Sequence, residues 1–297
     1  MKGEMYILID TVKLKVDRET GEILSETMRT AEQDVGWIKH CERLAEEEMK
    51  KYFYKKKVDE LGNFVWLLYN INAALNIGLG SANLTRIIYL ATFMNYDNYL
   101  AYDNGVKIKS SKVGELLRTG RRATQQFLSE AVGCGALTKD GTYIKLSDSI
   151  FAKGKLNDII IDKNAMRLYA DGVRRLYEAA TPKEHKSLSY VFQAIPYVNL
   201  NFNILCTNPW EYNKSNISYL NLTGYCERVG YDPSNAKRLK SQLISIRVAD
   251  ECVFGFMETG DGNYIIMNPR IFYAGDKTDE IMVLGNFFKE KGECNNK

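Results

Sequence analysis

Arg121, Arg122, Gln125, Gln126 and Ser129 fall in one short stretch, RRATQQFLSEAV, and each carries groups that can meet the edge of a base. Arg pairs with guanine and Gln with adenine in the major groove of DNA. At helical spacing Arg121 and Gln125 lie one turn apart. Both then point into one groove, while Phe127 and Ala131 turn the other way with Ala123 and Leu128. Arg121, Gln125, Gln126 and Ser129 are the base-contact candidates. Arg121 and Arg122 also stand where the helix would begin, an end that favours phosphate. Lys107, Lys109, Lys112 and Arg118 before this stretch, and Lys139 and Lys145 after it, are expected to hold the DNA backbone. A second stretch, DPSNAKRLKSQL, turns Ser234, Asn235, Lys237, Arg238, Lys240 and Ser241 outward, opposite Ala236, Leu239 and Leu243. Its candidate turn carries Glu258 and Asp261, which would keep that part off the phosphates.

Other chemistries find little purchase. The chain has only two histidines, His40 and His185, too few for a His-rich metal or nucleophile site. Gly78-Leu79-Gly80-Ser81 lacks the Gly-Lys-Ser/Thr of a phosphate loop and reads as a helix-capping turn. His40-Cys41-Glu42-Arg43 spells the HxxR of tyrosine recombinases, but it opens a charged N-terminal helix instead of a late catalytic domain. Cys41, Cys134, Cys206, Cys226, Cys252 and Cys294 are scattered without a CxxC pair, which suits reduced, buried thiols. No enzyme, cofactor or metal is expected. The net charge of +3 over 297 residues rules out a uniformly basic surface, so charge must be read locally. No apolar run approaches the roughly 20 residues of a membrane span, and the expected location is the cytoplasm.

The elements that must position these residues announce themselves by repetition. Asp140–Gly154 reads DGTYIKLSDSIFAKG and Asp261–Gly275 reads DGNYIIMNPRIFYAG, at a constant offset (262 − 141 = 121). Such self-similarity points to an internal duplication. Asp-Gly between β-prone runs predicts a hairpin over Ala136–Lys139 and Thr142–Leu146. Before it, the pattern predicts an apolar helix over Asn83–Tyr99, a strand at Val106–Lys109, a short helix from Ser110 or Ser111 to Leu117, and the Arg121–Val132 helix. The second copy predicts a helix over Leu188–Leu205 interrupted at Pro196, a short helix over Ser218–Val229, and a helix that Asp232 caps with Pro233 at its first position. A hairpin over Cys252–Met257 and Tyr264–Met267 would close it. The order matches a winged helix-turn-helix.

The expected fold class is therefore α+β, mainly helical, with two tandem winged helix-turn-helix units and an N-terminal β-hairpin and helix. The expected boundaries are 1–62 for the hairpin (TVKLKV and ILSE) and the charged helix Ala31–Leu61, 63–160 for the first unit, 161–186 for a connecting helix, 187–283 for the second unit and 284–297 for a polar tail. In the charged helix, Lys50, Lys51, Lys55, Lys56 and Lys57 read as a solvated face, with contact to DNA phosphate as the alternative. Phe64–Leu75 is apolar and packs on the first unit. Lys163–Ala180 reads as a helix capped by Asp162, with Met166, Tyr169, Val173, Leu176 and Ala180 as a packing stripe or a homodimer seam.

The line GNYIIMNPRIFYAG resembles the C-terminal strand of RepL-like replication proteins of Firmicutes plasmids and phages. It covers about Leu188–Gly275, and more loosely Asn83–Gly154. The two-unit plan is similar, as architecture, to tandem winged-helix initiators that bind repeated origin sequences. The resemblance implies replication initiation or its control on a mobile element, with double-stranded DNA, a second copy of the chain and replication or transcription proteins as expected partners. A transcriptional regulator and a protein–protein adaptor remain the alternatives.

Overall fold

A computed structural model of the chain describes residues 4–9, 12–17, 20, 23–28, 35–36, 39–40, 42–44, 62–70, 77–154, 163–248, 250–259, 262–273 and 288. The chain divides into two compact units, Met1–Lys57 and Val58–Lys297. In the first, strands β1 (Glu4–Ile9), β2 (Val12–Asp17) and β3 (Ile23–Met28) form an antiparallel meander in that order. The expected hairpin is the β2–β3 pair, and β1 adds a third strand on its other side. Of the charged helix, 35–36, 39–40 and 42–44 are helical. The remainder of that helix, its five lysines and the polar tail up to its last residues lie outside the described residues, Phe288 apart.

The second unit is built around a four-stranded antiparallel sheet of order β13-β8-β4-β7. Its two inner strands are β4 (Phe64–Asn70) and β8 (Lys163–Tyr169), which run the length of each other from Phe64↔Tyr169 to Asn70↔Lys163. Alternation decides the faces. Val65 and Leu67 on β4 stand opposite Leu168 and Met166 on β8, and all four are buried in the main core. On the other face the Arg167 guanidinium lies 4.7 Å from the Trp66 ring and 5.6 Å from that of Phe64. The edges are two-residue strands, β7 (Phe151–Ala152) beside β4 and β13 (Phe272–Tyr273) beside β8.

Helices pack on the core face. They are α1 (Ser81–Ala91), α2 (Val113–Leu116), α3 (Arg121–Gly133), α4 (Ala170–Ala179), α5 (His185–Gln193), α6 (Leu222–Arg228) and α7 (Ala236–Ser245). Two hairpins complete the unit. One is β5 (Leu137–Asp140) with β6 (Tyr143–Leu146), and the other β11 (Phe254–Thr259) with β12 (Gly262–Met267). A small pair, β9 (Arg247–Val248) and β10 (Glu251–Cys252), leads into the second hairpin. Among the described residues, no helix is long and apolar enough to cross a membrane.

This arrangement overturns the expected fold class. The protein is mixed α/β with several small antiparallel sheets and does not resolve into two tandem winged helix-turn-helix units. Elements of both halves close one sheet, and Phe127, Val173, Phe192, Tyr225 and Leu243 belong to one core cluster. The repeated line is nonetheless real as local structure. Tyr143 and Tyr264 both lie in the returning strand of a hairpin, and Phe151 and Phe272 both enter an edge strand of the shared sheet.

The expected connecting helix is a second correction. Lys163–Tyr169 is a strand, and the helix starts only at Ala170. Met166, Tyr169, Val173 and Leu176 fall at helical spacing by the accident of a strand's inward positions running into a helix's buried stripe. The two long apolar helices are also shorter than expected. After Ala91 the chain turns because Asn95 Oδ1 accepts the backbone N–H groups of Asp97 and Tyr99. After Gln193 it passes through the turn Ile195–Tyr197, and Asn199 Oδ1 accepts those of Asn201 and Phe202. An Asx turn thus follows each helical segment.

A buried aromatic stack ties α1, α4 and α5 together. Tyr89 lies on Tyr177 at 3.9 Å and Tyr177 on His185 at 4.3 Å, with the Tyr177 hydroxyl donating to Leu117 O. His185 is 1% exposed, and its Nδ1 has no hydrogen-bond partner among the described residues. Burial, helped by the Arg86 charge, pushes its pKa down to about 4. The folded state thus refuses a proton that the unfolded chain takes up near its ordinary value of 6.5. Stability from this group is full above pH 6.5 and is lost as pH falls toward 4. At 1.36 kcal/mol per unit the loss is on the order of 3 kcal/mol. His185→Phe keeps the ring stack without the titration. Urea midpoints measured from neutral pH down through this window should fall less in the variant. Parallel curves for the two proteins would remove His185 as a cause of acid lability.

Candidate nucleic-acid interface

Helix α3 is held by Thr124, Phe127 and Ala131, all buried, while Arg121, Arg122, Gln125, Gln126 and Ser129 are exposed. The expected inner residues Ala123 and Leu128 are half-buried, and Thr124 goes deeper than either. The reason lies in the turn before the helix. Thr124 Oγ1 is 2.9 Å from Thr119 Oγ1, within the helix's first turn, so its hydroxyl is satisfied inside the turn. Gly114 of α2 lets the two helices close. A Cβ there would lie 2.9 Å from Thr124 Oγ1. Glu130, on a third side of α3, accepts from Gly80 N at 2.7 Å and from Asn83 Nδ2 at 2.6 Å. It places a carboxylate at the N-terminus of α1, where the helix dipole favours one. The exposed polar face is therefore borne by a helix fixed at its beginning and its end.

The first turn of α3 carries no acid and no side-chain cap, and Arg121 and Arg122 are exposed. A positively charged helix N-terminus with exposed guanidinium groups suits an anionic ligand. The expected backbone-holding residues fare differently. Lys109 and Lys139 are exposed. Lys112 is in an exposed ion pair with Glu115 at 2.8 Å, which solvent screens to little strength. Arg118 adopts a left-handed backbone (φ 51°) and donates to Glu178 O at 2.9 Å, in the last turn of α4. That bond uses one guanidinium nitrogen of a residue that is otherwise exposed.

Lys107 and Lys145 are not splayed toward solvent. Their Nζ atoms lie 3.5 and 4.6 Å from the centre of the Tyr99 ring. Tyr143 meets Tyr99 edge to face at 6.4 Å, and the Tyr99 hydroxyl donates to Asp140. That hydrogen bond raises the Tyr99 pKa, so the phenol stays protonated. The sequence marks Tyr143 as the strand equivalent of Tyr264 but names neither Tyr99 nor Tyr143 as a contact. The available signal was the period-two pattern Tyr143-Ile144-Lys145-Leu146, with Ile144 and Leu146 buried.

The second stretch is less open. Asp232 caps its turn by accepting from Ser234 N at 2.9 Å, Ser234 Oγ at 2.7 Å and Asn235 Nδ2 at 2.9 Å. Ser234 and Asn235 are thus engaged within the protein. Ser241 Oγ donates to Lys237 O at 3.1 Å, and Lys240 Nζ lies 5.2 Å from the Phe256 ring. Lys237 and Arg238 remain exposed. Asp261 lies outside the described residues, and Glu258 is placed only by its position in β11. The α3 residues share the exposed side of one helix, and Lys107 and Lys145 meet at the Tyr99 ring. Comparison with protein-family models, with curated proteins and with solved structures found no match.

Proposed function

We propose that this chain is a sequence-specific double-stranded DNA-binding protein that reads bases through α3. The observation that carries the proposal is the exposed row Arg121, Arg122, Gln125, Gln126 and Ser129 on a helix whose other side is locked to the core. Arg121 and Gln125 supply the two side-chain types best suited to guanine and adenine. Lys139 and Lys109 are the backbone contacts. The resemblance of Gly262–Gly275 to RepL-like proteins favours replication initiation on a phage or plasmid in a bacterial cytoplasm over transcriptional control. Neither cofactor nor catalysis enters this reading.

Fragments of the source genome selected by the protein and then sequenced identify the site. Direct repeats within or beside the coding sequence support an initiator, and an inverted repeat at a promoter supports a regulator. On the selected duplex, Arg121→Ala and Gln125→Ala should each cost roughly 1–3 kcal/mol and relax discrimination among bases. Lys139→Ala should weaken selected and scrambled duplexes alike and reduce the salt slope by about one unit. If the two α3 variants lower both affinities in equal proportion, this helix does not read sequence. If no duplex is bound even at low salt, the adaptor reading takes its place.

A further inference from the structure

We propose that the outer face of the sheet around β6, formed by Tyr99, Lys107, Tyr143 and Lys145, binds single-stranded DNA. The proposal rests on the duplex-reading function only in that a chain which finds a site can hold a strand opened there; its test is separate. Alternation along β6 sends Ile144 and Leu146 into the core and leaves Tyr143 and Lys145 outside. Bridges Tyr99↔Lys145 and Ala101↔Lys107 bring the other two beside them. The same surface loop carries Tyr96, 77% exposed, and Tyr102, 43% exposed, with Lys153 Nζ 5.7 Å from the Tyr96 ring.

Rings interleaved with ammonium groups are what an unpaired strand requires. Bases in a duplex are stacked on one another and offer no face to a tyrosine, whereas a single strand offers one per nucleotide, along with its phosphates. Lys107 and Lys145 now lie against the Tyr99 ring. A base that takes their place on the ring releases both ammonium groups to its own phosphates, so two cation–π contacts are exchanged for one stack and two ion pairs. Of the nearby acids among the described residues, only Asp103 has a cationic partner. Asp140 accepts from Tyr99, and Asp103 pairs with Arg174 at 2.9 Å, leaving Asp97 exposed. The basic character belongs to this half alone at the equivalent strand position, for Ile266 stands where the first copy has Lys145 (266 − 145 = 121).

The test is a fluorescence-anisotropy titration of the full chain with labelled oligo(dT), oligo(U) and the selected duplex. Wild type should bind oligo(dT), and Tyr99→Ala and Tyr143→Ala should each weaken it about tenfold or more, with duplex affinity little changed. Tyr99→Phe keeps the ring and should retain the binding, which separates stacking from a folding defect. Iodouracil-substituted oligo(dT) should photocrosslink to the peptides containing Tyr99 or Tyr143. The inference is overturned if oligo(dT) is not bound, if Tyr99→Ala binds it like wild type, or if crosslinks fall elsewhere. Tighter binding of oligo(U) than of oligo(dT) would reassign the face to RNA. Duplex binding without oligo(dT) binding removes this inference and leaves the α3 reading standing; oligo(dT) binding without duplex binding does the reverse.

Discussion

Phe151→Ala and Phe272→Ala each lower the stability of the protein by about 3–5 kcal/mol, and by similar amounts. Both rings are completely buried, Phe151 opposite Leu67 on one edge of the central sheet and Phe272 opposite Leu168 on the other. Each edge strand has only two residues; in β7 Phe151 is the buried one, and in β13 Phe272 shares that role with the equally buried Tyr273. Truncation removes a ring from a closely packed interior and leaves a cavity that neighbouring backbone cannot fill. Urea unfolding of the two variants, followed by tyrosine and tryptophan fluorescence, measures the costs. A cost below about 1 kcal/mol for either would mean that its edge strand is dispensable to the core.

Gly172→Ala is the second large effect, and its sign runs against local preference. Within a helix, alanine is ordinarily better than glycine by about 1 kcal/mol. Here a Cβ would lie 2.0 Å from Arg270 O and 2.9 Å from Arg270 C. Those atoms are backbone, and they are held. Arg270 N donates to Asn268 Oδ1, Ile271 N donates to Asn268 O, and the Arg270 guanidinium pairs with Glu251 at 2.9 Å. Relief therefore requires α4 to move from the segment that leads into β13. The expected loss is about 3 kcal/mol or more, at the upper end for overpacking. A thermal midpoint equal to or above that of wild type would show that α4 is not seated against Arg270.

The local signals in the chain were legible and the distant pairings were not. Asp232-Pro233 marks a helix start, and Asp140-Gly141 a hairpin turn, because each acts through its own backbone. The facing of α3 followed from spacing alone, apart from Thr124, whose burial depends on the preceding turn. By contrast, nothing in FVWLLYN names KNAMRLY as its partner, although the two pair along their whole length. A short apolar run reads equally as strand or buried helix until that partner is known. For the same reason Lys107 and Lys145 look like free cations in the sequence. Tyr99, which receives them, is eight residues from one and 46 from the other (107 − 99 = 8; 145 − 99 = 46). The repeated line was visible, but not that both copies would serve one sheet.

The strand order has a consequence for synthesis. Chain leaving the ribosome presents β4 first, and β7 can cover one of its edges once Phe151–Ala152 has emerged. The other edge has no partner until Lys163–Tyr169 follows, and β8 in turn waits for Phe272–Tyr273. An apolar strand with a bare edge invites pairing with another nascent chain. The vulnerable interval is therefore longest for the last edge to be sealed, and a pause or premature stop between β8 and β13 should favour aggregation more than one placed ahead of β4.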